Sequence, residues 1–219
     1  MVLFFHYCAR GFSNCFLVGS EFDEPSATST SENQKREALI IDPTQIDEAI
    51  VTFIESNHYQ LKAALLTHDH TNHSYGLRSL MRIYENVEIY AANPVIQGFK
   101  TNMLRDGDIF TAAGFKIEAI ATPGHSADSM IYRINHALFT GDALTAGLIG
   151  STASSYAAMR EVSVIQRKLF SLPGNYLVFP SHGPPSTLET ERRFNAGIAI
   201  YEQNAHRAVH NTFNLDLLE

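Results

Sequence analysis

The apolar run Ala63-Ala64-Leu65-Leu66 breaks into Thr67-His68-Asp69-His70-Thr71-Asn72-His73, so three imidazoles leave the end of what reads as one buried strand. In an extended segment, side chains two apart project to the same face. His68 and His70 therefore converge on one point, with Asn72 on that side, and His73 falls where the chain turns into a helix and faces a neighbouring point. Neutral imidazole is the commonest transition-metal ligand near neutral pH. Three at this spacing argue for zinc, iron or manganese rather than calcium or magnesium.

The other candidate ligands also follow apolar strands. Thr122-Pro123-Gly124-His125 comes after Phe115 to Ala121, Thr140-Gly141-Asp142 ends Ala137 to Thr140, and Ser181-His182-Gly183-Pro184 follows Tyr176 to Phe179. Each presents one ligand type beside a Gly or Pro that sets a tight loop and lets backbone approach closely. The remaining histidines, His6, His58, His136, His206 and His210, match no such pattern and read as surface or packing residues.

Along the chain, Val2 to Tyr7 and Asn14 to Gly19 read as strands, Ser20 to Glu37 as an exposed polar loop, and Ala38 to Ile41 as a buried strand ending in Asp42-Pro43. Thr44 with Asp47 makes a capping-box signature for a helix carrying Ile46, Ile50, Phe53 and Ile54. A helix over about His73 to Tyr84, a strand at Val87 to Tyr90 and a short helix at Asn93-Pro94 complete an alternating βαβα part. From Asp106-Gly107-Asp108 the pattern becomes strands joined by turns: Ile109-Phe110, Phe115 to Ala121, Met130 to Ile134 and Ala137 to Thr140. A helix from about Arg160 to Leu172 and the strand at Tyr176 to Phe179 follow, while Ser154, Ser155 and Tyr156 read as a polar loop. Ser186 with Glu189 signals a terminal helix through Leu188, Phe194, Ile198 and Tyr201. At 219 residues and 45% hydrophobic content, with no repeat and no linker, the chain reads as one layered domain over 1–219, strands inside and helices outside, with a loop at 20–37 and a C-terminal helix over 187–210.

Taken in order, His-x-His-x-x-His, Thr-Pro-Gly-His, Thr-Gly-Asp and His-Gly-Pro resemble the metallo-β-lactamase superfamily, most closely its glyoxalase II (hydroxyacylglutathione hydrolase) branch. Ala38 to Pro43, Arg105 to Asp108 and the run from Pro184 through Thr187, Glu191 and Asn195 extend the likeness over nearly the whole chain. The resemblance implies an αβ/βα four-layer sandwich of two facing mixed sheets with helices on both outer faces. It implies a first metal on His68, His70 and His125, a second on His73 and His182, and Asp142 bridging them, with Asp42 buried behind and orienting a histidine. The implied activity is hydrolysis of a thioester or related acyl bond by water activated on the metal, zinc foremost, with iron or manganese as alternatives.

The chain departs from that family at position 72, where the pattern His-x-His-x-Asp-His has Asn72. A neutral amide is a weaker ligand than a carboxylate and no general base, which predicts a weak second site and slower hydrolysis. Asp128 stands where relatives often have Gly, Ser181 replaces the Gly before His182, and the segment after Asp142 lacks the family's Gly-Arg signature. These differences weigh against glutathione as the thiol. A mononuclear iron enzyme similar to the persulfide dioxygenases, using His68, His125 and Asp142, is the runner-up, and a degenerate metal- or ligand-binding member is the third reading.

Composition narrows the classes. Sixteen Lys plus Arg against 23 Asp plus Glu give a net charge of −7, with no basic run longer than Arg192-Arg193, which disfavours nucleic acid as a partner. Met1 to Phe5 is apolar but has no basic flank and meets His6 too soon for a secretory signal, and no stretch approaches the ~18 apolar residues of a membrane span. A cytoplasmic protein acting on a small-molecule substrate, with a homodimer left open, is the expectation. Cys8 and Cys15 fit no zinc spacing and read as reduced, half-buried strand residues, which leaves nitrogen and oxygen ligands for the metal.

Overall fold

The computed structural model describes residues 1–21 and 36–203. The strands are β1 (Val2–Cys8), β2 (Ser13–Gly19), β3 (Arg36–Ile41), β4 (Tyr59–Leu65), β5 (Glu88–Ala91), β6 (Val95–Ile96), β7 (Phe99–Lys100), β8 (Asn102–Met103) and β9 (Ile109–Ala112). Then come β10 (Phe115–Ala121), β11 (Met130–Ile134), β12 (Ala137–Gly141), β13 (Leu144–Thr145), β14 (Leu148–Ile149), β15 (Leu177–Pro180) and β16 (Ser186–Thr187). Helices are α1 (Glu48–Ser56), the single turn α2 (Thr71–Ser74), α3 (Leu77–Ile83), α4 (Ser155–Val164) and α5 (Leu188–Phe194). Two mixed six-stranded sheets result, ordered β1-β2-β3-β4-β5-β8 and β16-β15-β12-β11-β10-β9.

Alternation along each strand explains the layering. In β3, Leu39 and Ile41 face the second sheet while Ala38 and Ile40 face α1 and α3. In β11 and β12, Tyr132, Ile134, Ala137 and Phe139 face the first sheet while Ile131 and Leu138 pack under α4 and α5. A strand apolar on both faces must be covered on both, which yields sheet against sheet inside and helices outside. The four-layer sandwich expected from the motifs is the observed architecture.

At one end the two sheets are tied by polar contacts. The Tyr132 hydroxyl donates to Leu66 O at 2.7 Å, Met130 N to Thr67 O at 2.7 Å and Asn14 N to Ser181 O at 2.7 Å. These bonds hold the ends of β4, β11 and β15 against one another. The loops leaving that end carry the histidine motifs.

Several boundaries differ from those read in the sequence. α1 starts at Glu48 because Asp47 is its cap, accepting from Ile50 N at 3.2 Å, whereas the Thr44 hydroxyl turns inward to Ser13 Oγ at 2.8 Å. The helix expected over His73 to Tyr84 is split at Gly76, whose N–H donates to Pro43 O at 2.8 Å. A Cβ at position 76 would lie 2.6 Å from that same oxygen, so the backbone docks there in place of continuing one helix. Asn93-Pro94 opens no helix: Gln97 and Gly98, at φ 53 and 86, form a tight two-residue turn that pairs β6 with β7.

The polar loop assigned to Ser154, Ser155 and Tyr156 is instead the start of α4, with Ser154 Oγ accepting from Ala157 N at 3.2 Å. α4 then widens into a π-helical turn over Ile165–Phe170. Thr187, not Ser186, caps α5, because Ser186 Oγ is taken by Glu191 Oε1 at 2.6 Å. Helical backbone breaks at Asn195 and resumes over 196–203. Most of the expected loop (residues 22–35) and residues 204–210 of the expected terminal helix, with His206 and His210, lie outside the described residues. Cys8 and Cys15 are free and fully buried rather than half-buried. Among the described residues no helix is long and apolar enough to cross a membrane.

Candidate metal centre

Each candidate side chain is delivered by a strand end. β4 leads to His68 and His70, α2 carries Asn72 and His73, β10 leads to His125, β12 to Asp142 and β15 to His182. Side chains of His68, His70, His125 and Asp142 each offer one ligand atom, all within 4.8 Å of one another, and so do His73, Asp142 and His182. Asn72 is half-buried on the same turn as His73.

The Asp142 carboxylate divides the cluster. Its Oδ2 lies 3.4 Å from His125 Nε2 and 3.9 Å from His68 Nε2, while its Oδ1 lies 3.5 Å from both His73 Nε2 and His182 Nε2. His70 Nδ1 faces His68 Nε2 at 2.9 Å and His125 Nε2 at 3.0 Å. Tetrahedral zinc with nitrogens at about 2.0–2.1 Å would set neighbouring nitrogens ~3.3 Å apart, so this trio has close to the spacing of a ligand shell.

Outer hydrogen bonds fix which nitrogen points inward. His125 Nδ1 meets Ser151 O at 2.8 Å and His182 Nδ1 meets Phe12 O at 2.8 Å. A carbonyl can only accept, so both rings carry the proton on Nδ1 and turn the Nε2 lone pair to the centre. Thr67 Oγ1 donates to Asp42 Oδ2 at 2.7 Å and stands 3.1 Å from His68 Nδ1. His73 Nδ1 lies 3.2 Å from Asp42 Oδ2.

Asp42 is therefore the buried anchor of the cluster. It sits at φ 49, a left-handed conformation costly for a non-glycine residue, and it accepts from Thr67 N at 2.8 Å and Ser181 Oγ at 2.8 Å as well. Ser181, an exception to the family pattern, thus supplies a bond a glycine could not. Gly141 meets a different demand: at φ 55, a Cβ on it would lie 2.7 Å from the Thr67 side chain.

The electrostatics follow from burial of opposite charges together. Burial pushes the His68 imidazole down to about 4, with the His73 charge adding to the effect. Burial also pushes His73 down, but Asp142 and Asp42 more than reverse it and raise that ring to about 10. Burial would raise Asp142, yet His73, His182 and His68 hold it at about 2. Two atoms at the middle of this charge cluster, His73 Nε2 and Asp142 Oδ1, are buried with no hydrogen-bond partner among the described residues. They face each other at 3.5 Å, beyond a good N–H···O bond. Orphaned buried atoms on a ring of nitrogen and carboxylate donors fit a cation.

Residues outside the motifs complete the surroundings. Asp128 Oδ2 accepts from Asp69 N at 2.9 Å and Asn93 Nδ2 at 3.0 Å, bracing the loop between His68 and His70. Asn14 Nδ2 donates to Pro180 O and Gly183 O, both at 2.8 Å, bracketing His182. Glu161 on α4 is fully buried and accepts from His125 N at 3.1 Å. Its carboxyl is pushed up to about 8, by burial first and by the Asp142 charge, against the pull of the His125 N–H. No local pattern marks Glu161, since one acidic residue on a helix reads as solvent-facing.

Two mixed sheets between helical layers, with a divided histidine and carboxylate cluster at one end, define a sandwich fold that carries a candidate two-metal centre. The chain belongs to the metallo-beta-lactamase superfamily, whose family model matches residues 28–182. It is 33% identical over 160 residues to the "Probable polyketide biosynthesis zinc-dependent hydrolase BaeB" of Bacillus velezensis, covering 69% of this chain and 70% of that protein. It is 30% identical over 156 residues to a "Probable hydroxyacylglutathione hydrolase" of Schizosaccharomyces pombe, covering 68% of this chain and 60% of that protein. The crystal structure of the BLEG-1 B3 metallo-beta-lactamase shares the fold, with a TM-score of 0.73 at 22% identity over 90% of this chain and 100% of that one.

Proposed function

We propose that this protein is a metal-dependent hydrolase of a thioester or related acyl bond, similar to glyoxalase II. The observation that carries the proposal is the division of Asp142, one oxygen toward His68 and His125 and the other toward His73 and His182. Two relatives, at 33% and 30% identity, bear hydrolase names, which agrees with it. His68, His70, His125 and Asp142 would hold the first ion, and His73, His182 and Asp142 a second. This donor set suits zinc first, and also iron or manganese.

A bound divalent ion there supplies Lewis acidity toward a carbonyl and lowers the pKa of water to about 7. The chain's own residues do the rest. Ser151 O and Phe12 O hold the outer nitrogens of His125 and His182, so those two inner lone pairs need no reorganisation, while Thr67 and Asp42 orient His68 and His73. His70 is exposed and His182 is half-buried, so a substrate reaches the centre from their side. Asn72 offers neither a carboxylate ligand nor a base, which makes the first ligand set the stronger one and proton removal the slower step. Two buried free thiols suit a reducing compartment, and we place the protein in the cytoplasm.

Metal content of the chain purified without chelator, measured beside turnover of acyl thioesters, tests this. About one tightly held ion is expected, with slow hydrolysis that His125→Ala abolishes and Asn72→Asp raises at least about tenfold while adding a second ion. About two ions per wild-type chain would overturn the role given to Asn72. One iron with oxygen uptake on a glutathione persulfide, and no thioester turnover, would replace the hydrolase with an oxygenase.

A further inference from the structure

A cavity of about 360 Å³ lies against Pro123, two residues before His125, and is walled on its other side by α4 and the π-helical turn. Its charged lining is unbalanced. Lys168 Nζ is bound by Asp106 Oδ1 at 2.6 Å and by Ala121 O at 2.9 Å, a clip that neutralises both ionic groups and fixes one wall. Arg160 and Arg167 also line the cavity, both exposed, and neither guanidinium has a hydrogen bond or close ion pair among the described residues, though the Arg167 charge acts on Asp106 from a longer distance. Ser163, exposed and between them in sequence, belongs to the same lining.

Arg160, Arg167 and Lys168 against the single carboxylate of Asp106 leave the lining net positive, in a chain whose net charge is −7. Low-dielectric walls concentrate such a field, and the arrangement is relieved by an anion with several acceptor oxygens. Arginine matches phosphate and carboxylate with paired parallel N–H bonds, and a serine hydroxyl adds a donor. Arg160 is also next in sequence to Glu161, which touches His125 N at 3.1 Å, so the cavity flanks the loop that carries a candidate ligand.

We infer that this cleft binds the oxyanion, phosphate or carboxylate, on the thiol carrier of the acyl substrate, with Arg160 and Arg167 as its principal contacts. This rests on the thioester hydrolase proposed above: the acyl group meets the metal cluster while the charged tail of the leaving thiol is held beside α4. Nucleotide-type thiols carry phosphates and glutathione-type thiols carry carboxylates, and the cleft's chemistry is common to both.

The test uses one acyl group on three thiols: coenzyme A, glutathione and uncharged N-acetylcysteamine. For the paired Arg160→Ala and Arg167→Ala variant, KM should rise at least about tenfold for one of the charged substrates with kcat nearly unchanged, and stay constant for the uncharged one. The charged substrate affected tells phosphate from carboxylate. Independently, inorganic pyrophosphate or citrate should raise the melting temperature of the wild-type chain and not that of the variant. Anion binding that depends on the two arginines without any thioester turnover would sink the hydrolase and leave the cleft standing. Turnover with unchanged KM for all three thiols and no arginine-dependent anion binding would sink the cleft and leave the hydrolase.

Discussion

Glu161→Gln isolates a buried carboxyl outside the ligands. Glu161 Oε1 accepts from His125 N, while Oε2 is buried with no partner among the described residues. Glutamine keeps the acceptor and removes the titration. The folded carboxyl titrates at about 8 against an ordinary 4.5. The folded state therefore binds more protons than the unfolded state between those two values. The stability contributed by the neutral acid is fully present below the unfolded pKa and is lost as pH rises through the folded one.

At about 1.4 kcal/mol per unit of pKa, the rise from 4.5 to about 8 sets an upper bound of about 5 kcal/mol on the loss. Urea denaturation of chelated wild-type and variant proteins, from about pH 5 to about pH 9, reads the difference directly. The wild type should fall progressively behind the variant across that range and the gap should level off above it. Chelation matters because a cation beside Asp142 would cancel part of the push on Glu161. Parallel curves, or a wild type that gains on the variant with rising pH, would refute the reasoning.

Asp42→Ala strands the His73 charge and three further donors, so it should cost about 3–5 kcal/mol in urea denaturation and weaken metal retention about 10–100-fold in equilibrium dialysis. Gly141→Ala meets both a positive φ and the Thr67 side chain, so a loss of about 1–3 kcal/mol is expected in the same denaturation assay, and a neutral result would remove the close packing inferred there. In the metal-free chain His73 keeps its proton up to about 10 through Asp142 and Asp42 in spite of burial. The stability from that pairing is present below the ordinary 6.5 and lost as pH rises through about 10. Zinc binding near neutral pH should therefore expel this proton, visible as a calorimetric heat that varies with buffer ionisation enthalpy, and a buffer-independent heat would contradict it.

The sheets were legible because period-two alternation marks a strand wherever both faces are covered, as in Leu39 to Ile41 or Tyr132 to Ile134. The convergence of His68 with His70 follows from the same period. What periodicity could not give is the outer contact of His125 and His182, since Ser151 O and Phe12 O reach those rings through tertiary packing. Ser181 looked like a simple replacement and proves to bond Asp42. Helix starts depart from the capping signature where a hydroxyl that could cap has another partner, as at Thr44 and Ser186. Asn93-Pro94 carried a good helix-opening signature, and the Gln97-Gly98 turn two residues beyond Val95 overrode it.

The candidate ligands come from four separate chain segments, the first beginning at position 68 and the last at position 182. During synthesis from the N-terminus, His68, His70 and His73 emerge long before Asp142 and His182. The Asn14 N–H that meets Ser181 O likewise waits for a partner more than 160 residues away. Contacts of such sequence separation form late, because the chain entropy of closing those loops has to be overcome first. An ion captured by the early histidines alone would lack Asp142, the one carboxylate that both groups share, so loading of the finished centre is an event of the completed chain. Maturation of this protein should accordingly be limited by docking of the second sheet, and metal supplied after folding should restore the same state as metal supplied throughout synthesis.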